Sequence, residues 1–200
     1  MQVNWITCGI AAGLISLTQT SSTYAGEATF RCGIGIGIME SPSFKSYMKD
    51  MYFDRDQQGT LVSASVGGKI SVNDSWAVVP AVEFFLSPNG YWHTTGFAAA
   101  SLNLRYSFTQ EPSFYLQAGP NYTYGTSDVE AKGGVGGVAS LGYAFKGRDR
   151  SRFGPELEVG YSYMPVDSAP EDDSYYNSHR GEIPSTVNFG GPFLRVGLRF

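Results

Sequence analysis

Residues 191–200 read Gly-Pro-Phe-Leu-Arg-Val-Gly-Leu-Arg-Phe, and the fold turns on how this stretch is read. Leu194, Val196, Leu198 and Phe200 occupy every second position, with Arg195, Gly197 and Arg199 between them. Successive side chains of an extended strand point to opposite faces. A period of two therefore predicts a strand with one apolar face and one face carrying two arginines.

The same alternation recurs upstream. Phe30, Cys32, Ile34, Ile36 and Ile38 alternate with Arg31 and three glycines. Val62, Ala64, Val66, Ile70 and Val72 oppose Ser63, Ser65 and Lys69, and Trp76, Val78, Pro80, Val82 and Phe84 oppose Ala77, Ala81 and Glu83. Leu102, Leu104, Tyr106 and Phe108 oppose Ser101, Asn103 and Arg105. The second half continues with Phe114 to Tyr124 against Tyr115, Gln117, Asn121 and Thr123, and with Ala139 to Phe145 against Ser140 and Gly142. Phe153 to Tyr163 then oppose Glu156, Glu158 and Ser162. Most of these segments approach the roughly 9–11 residues that a strand needs to cross a membrane.

The connections alternate in length. Short ones fall at Asn73-Asp74, Thr109–Pro112 and Lys146–Ser151; long ones run over Glu40–Gln58, Ser87–Thr95, Gly125–Lys132 and Val166–Thr186. That pattern predicts an all-β fold: an eight-stranded antiparallel up-and-down transmembrane β-barrel with short periplasmic turns and long outer loops. A soluble sandwich also alternates, but has no reason to place aromatics at the strand ends. Here Phe30, Trp76, Phe108, Phe114, Phe145, Phe153 and Phe200 fall toward one end, and Phe84, Tyr122, Tyr124, Tyr161 and Tyr163 toward the other. Two aromatic belts around an aliphatic band match two membrane interfaces.

Bulk properties agree. The chain has 200 residues and a net charge of −4, with no basic cluster of the kind that binds nucleic acid. Ile6–Leu17 is an apolar run too short to span as a helix, followed by Thr23-Tyr24-Ala25 as a cleavage site. Residues 1–25 are therefore expected to be a signal peptide and 26–200 the barrel domain. The exported chain would keep one thiol, Cys32, and form no internal disulfide.

The signal-like start, the eight alternating segments and the Gly191–Phe200 ending resemble the small outer-membrane β-barrel superfamily, the porin-like family of the OmpA transmembrane domain, Ail and Opa. The resemblance covers the whole chain after the signal-like segment. It implies an outer-membrane location in a Gram-negative bacterium, contact with outer-membrane lipid and lipopolysaccharide, and insertion by a barrel-assembly machinery that reads Phe200 as part of an assembly signal.

The inward charges are Arg31, Lys69, Glu83, Arg105, Glu156, Glu158, Arg195 and Arg199. An eight-stranded interior is filled by its own side chains, and an unpaired buried charge is costly. These residues are expected to form a lumen ion-pair network, in which Arg195 and Arg199 on the adjacent strand meet the Glu156 and Glu158 pair. Arg195→Gln is then expected to be tolerated better than Val196→Arg. A second reading makes the same charges the lining of a narrow porin; breaking the plug at Glu83 or Arg105 should then enhance any current.

Catalytic, metal and cofactor residues are not expected. His93 and His179 are the only histidines, and neither matches the His/Ser spacing of lipid A-modifying barrels. His179 beside Ser178 and Glu182 imitates a triad only within one loop, where the geometry a nucleophile requires is rarely held. In the first long loop Phe44, Tyr47, Met48, Met51 and Tyr52 recur at helical spacing behind Ser41 as N-cap and Pro42 in the first turn. This segment reads as an amphipathic helix on the membrane surface or over the barrel mouth, or as an extended hairpin. The last loop is acidic (Asp167, Glu171, Asp172, Asp173, Glu182) around Tyr175 and Tyr176, and matches no metal motif. The expected function is that of a non-enzymatic surface protein, structural or adhesive, with a host or matrix ligand at its outer loops. The alternatives are a narrow porin and, behind it, a lipid A-modifying enzyme.

Overall fold

The computed structural model describes residues 28–46, 59–88, 94–109, 112–125, 133–146, 153–167 and 186–200. The expected signal peptide lies outside the described residues. Ten strands follow in chain order: β1 (Ala28–Met39), β2 (Gly59–Ser71), β3 (Trp76–Pro88), β4 (Thr94–Ser107), β5 (Ser113–Gly125), β6 (Gly134–Ala144), β7 (Gly154–Tyr163), β8 (Pro165–Asp167), β9 (Thr186–Asn188) and β10 (Pro192–Arg199). Eight of them close into a barrel in the order β1-β10-β7-β6-β5-β4-β3-β2, every neighbour antiparallel. Closure joins β1 to β10 with Ile34 opposite Val196, and two further bonds link the backbones of Phe30 and Phe200. No strand edge of the barrel is left open, which is what a sheet in hydrocarbon requires.

The faces follow the period of two throughout. Ile34, Leu102 and Val196 are more than half exposed, whereas Arg105, Glu156 and Glu158 on the alternate positions are at most 3% exposed. An outer surface of Ile, Val, Leu and Phe suits only a lipid surround. At the short-turn end the outward aromatics meet in clusters: Phe200 lies between Phe30 and Phe153, Tyr106 between Trp76 and Phe108, and Tyr143 between Phe114 and Phe145. The turn between β2 and β3 is closed by Asn73, whose side-chain oxygen accepts from the Ser75 and Trp76 amides at 3.0 and 2.8 Å. Such a side-chain-closed turn reverses the chain within the four residues, 72–75, between β2 and β3.

The long-loop end departs from the sequence reading. Ser87, Thr95 and Gly125, expected in loops, extend β3, β4 and β5. Val166 and Thr186, expected as the ends of a loop, belong to a separate two-stranded sheet, β8 with β9. These strands are three residues long, too short to show a periodicity in sequence. A helical turn covers residues 42–46, and Ser41 is its N-cap: the Phe44 amide donates to Ser41 Oγ at 3.1 Å. The turn folds over the barrel mouth. Phe44 is 1% exposed and joins Met39, Leu61, Phe85, Phe97, Met164, Val166, Val187 and Phe189 in one buried apolar cluster. Gly59 makes the room, since a Cβ there would overlap Met39 and Phe44. Tyr47, Met48, Met51 and Tyr52, the rest of the expected helix, lie outside the described residues.

Asn188 ties this roof together. Its backbone carbonyl accepts from Ser41 Oγ at 2.7 Å and its amide donates to Ser43 Oγ at 3.0 Å. Its side-chain oxygen accepts from the amides of Met164 and Gly190 at 2.8 and 2.9 Å. One residue thus joins the first long connection to the last.

The register makes Val196 a lipid-facing residue opposite Ile34 and Leu157. Val196→Arg should destabilise the inserted barrel by roughly 2–4 kcal/mol, the cost of Arg on the lipid face near the midplane, while Val196→Ala should fold. Urea titration from lipid vesicles, read by heat-modifiable gel migration, measures the difference. Equal stability of the Arg and Ala variants would mean that the register is wrong.

Candidate functional site

Six of the eight inward charges predicted from the sequence meet in one network at mid-lumen. Glu156, on β7, accepts from Arg31 of β1 (Nε at 2.9 Å, with Nη2 also in contact) and from Arg105 Nη1 of β4 at 3.0 Å. Glu158, two residues on, accepts from Arg195 Nη1 of β10 at 3.2 Å and from the Tyr115 hydroxyl of β5 at 3.3 Å, and Arg31 Nη2 lies 3.6 Å away. Arg195 also donates to Glu83 of β3. Three guanidiniums and three carboxylates therefore neutralise one another across the barrel, joining strands far apart in its order. Buried ionic groups are tolerable only when paired and hydrogen-bonded in this way.

Neighbouring residues are shaped to the network. The Arg105 guanidinium stacks 3.4 Å above the Tyr115 ring, itself fully buried. Gly142 opposite gives that ring its place, because a Cβ there would overlap it. Stacking and a charge-assisted pair hold Arg105 rigidly, a geometry that Lys could not reproduce. Beside the network, between it and the roof, remains a cavity of about 60 Å³ lined by Ser63, Ser65, Ser101 and Asn103 together with Glu83 and Arg195. It has room for only a few water molecules.

Two corrections concern partners. Of the two arginines expected to meet the carboxylate pair, Arg195 does so, directly opposite Glu158. Glu156 does not pair with Arg199: the register sets Gly197 opposite Glu156 and Gly154 opposite Arg199. Arg199 is 3% exposed and donates to the Phe145 carbonyl at 3.4 Å. Lys69 joins no ion pair among the described residues. It lies four residues beyond Ser65, the residue level with Glu83, which at about 3.3 Å per residue carries it roughly 13 Å along β2. Arg195 bridges two carboxylates, Glu83 and Glu158, so Arg195→Gln would leave both short of a cation. Tyr115 was assigned to the inward face by the sequence but not to the network. Its alternation with Gln117 was visible; its place against Glu158 depends on barrel closure.

His93, His179, Ser178 and Glu182 lie outside the described residues, as do Glu171, Asp172, Asp173, Tyr175 and Tyr176 of the acidic loop. Among the described residues no group of three His, Cys, Asp or Glu side chains is arranged to hold a metal ion.

Glu156 serves two arginines and is 3% exposed, whereas Glu83 serves one and is 16% exposed. Glu156→Gln should therefore cost about 3–5 kcal/mol, the usual loss when a buried pair is broken from one side, and Glu83→Gln clearly less. Unfolding from vesicles in urea ranks the two. A larger loss for Glu83→Gln would overturn this hierarchy.

No protein-family model matches the chain, and no curated relative matches it in sequence. Three solved structures are similar. Neisserial surface protein A has a TM-score of 0.60 and 13% identity, over 86% of this chain and 97% of that one. The N-terminal β-barrel domain of Pseudomonas aeruginosa OprF gives 0.43 and 14%, over 88% and 99%. The outer-membrane protein AlkL in lipid bilayers gives 0.41 and 12%, over 90% of each. At such identity the likeness to Neisserial surface protein A is one of architecture, and it agrees with the closed barrel: this chain has the fold of the eight-stranded outer-membrane β-barrels.

Proposed function

We propose that this protein is a non-enzymatic outer-membrane surface protein, whose sealed barrel is a scaffold presenting long loops outward. The observation that carries this reading is the double closure of the lumen. A neutral network of three arginines and three carboxylates fills the middle, and the apolar roof of Phe44, Phe189 and their neighbours covers the loop end. A pore has to keep a polar path, and its selectivity is set by groups lining that path. Here the charges are spent on one another. Function in such a scaffold resides in the loops. The structural neighbour Neisserial surface protein A is by its name a surface protein. The ligand class proposed for the loops is a host or matrix macromolecule, contacted through the acidic, tyrosine-bearing last loop. Lipopolysaccharide and outer-membrane lipid would surround the belt, and the assembly machinery would recognise the strand ending in Phe200.

Two closures in series alter what the porin alternative predicts. Breaking the network alone, by Glu156→Gln or Arg105→Ala, should yield no discrete conductance in planar bilayers, because the roof remains. Phe44→Ser with Asn188→Ala should likewise stay silent, because the network remains; only the combination should open steps. Discrete channels in the wild-type protein would instead establish the porin reading. Orientation is tested separately with a membrane-impermeant thiol reagent on intact cells, in a Cys32→Ser background. Ser178→Cys in the last long loop should label, and Asp74→Cys in a short turn should not until the cells are permeabilised. The reverse pattern would refute surface display.

A further inference from the structure

We infer that the cavity between the ionic centre and the roof is a binding site for a small cluster of long-lived water molecules, which complete the hydrogen bonds of the Glu83–Arg195 pair. The site is independent of what the outer loops bind. It arises because the barrel is filled unevenly. The row of opposed inward residues that runs through Glu83 reads Gly197, Gly33, Ser65, Glu83 and Ala99 from β10 to β4. No neighbour of Glu83 in that row is larger than serine, and the wall there encloses the cavity of about 60 Å³.

The lining is polar. Glu83 and Arg195 share it with Ser63, Ser65, Ser101 and Asn103. The side chains of Glu83 and Arg195 keep 16% and 14% of their surface, against 3% and 2% for Glu156 and Glu158. An ion pair inside a barrel with one side open needs further hydrogen-bond partners there. The side chains around it do not supply them. Ser65 donates to the Gly33 carbonyl at 3.4 Å, near the long limit of a hydrogen bond. Asn103 Oδ1 and Arg195 Nε have no hydrogen-bond partner among the described residues. Apolar cavities of this kind stay dry, whereas polar ones with several partners hold ordered water. Each water needs about 10–15 Å³ of such space, so on the order of four fit and no organic solute does. These waters add hydrogen bonds to the pair without replacing either partner. The network below and the apolar roof above separate them from bulk solvent, which makes their residence long.

The test uses the full chain refolded in a neutral detergent. Magnetic resonance cross-peaks between water and backbone amides should appear at Gly33, Ser65 and Asn103, with the sign of water that tumbles with the protein. Relaxation dispersion of the water oxygen then reads how many waters are held. Ser65→Val with Ser101→Val, checked for folding by gel migration, should remove these cross-peaks and most of the held water. Phe44→Ser with Asn188→Ala should leave the cross-peaks but shorten the residence, because the roof is opened while the cavity lining is kept. Absence of water cross-peaks at those amides in the wild type would overturn the proposal, whether or not the valine variant folds. So would xenon entering the wild-type cavity, which marks a dry one, or a folded valine variant that holds as much water as the wild type.

Discussion

The interior of an eight-stranded barrel is too narrow to hold solvated charge, and the rest of this structure depends on that constraint. Every second residue of every strand must point inward, and the sequence places eight charged side chains there. At mid-lumen bulk water cannot screen them, and the six charges there find partners across the barrel. Glu156 and Glu158 supply the centre. Being two apart on one strand, they share a face, and they draw in arginines from β1, β4 and β10. A network that spans the barrel fixes more than charge balance. A slip of one residue in any participating strand would turn its charged group toward lipid, so the ionic core also opposes every wrong register.

The two halves of the plug rest on different physics. The ionic centre is directional and costly to bury, and it specifies which strands face which. The roof is apolar and is stabilised by the packing of Phe44, Phe97, Phe189 and their neighbours. Its hydrogen bonds, centred on Asn188, join elements that are 145 residues apart in the chain. The first and last long connections therefore start from a shared platform rather than from independent hairpins. Glycines act as spacers in both regions. Gly142 admits the Tyr115 ring below Arg105, and Gly59 admits Phe44.

The period of two determined by itself the strands, their faces, the aromatic rims and the list of inward charges. That signal is complete in the sequence because side-chain direction in a strand depends only on the parity of the residue. The N-cap at Ser41 was legible for the same kind of reason, since a cap acts on residues three positions away. What only the tertiary structure decided is who meets whom. Parity names Arg31, Lys69, Arg105, Arg195 and Arg199 as inward without saying which of them reaches a carboxylate. That depends on register between strands and on the closure of β1 on β10, which bring together residues more than a hundred positions apart. Arg199 was counted with Arg195 as a partner of the Glu156 and Glu158 pair, although the register sets it opposite Gly154, and Lys69 was counted into a network that its strand carries it past. The roof was invisible for a further reason. β8 and β9 are too short to have a period, and Phe44 and Phe189 acquire their meaning only when two distant connections are folded over the same mouth.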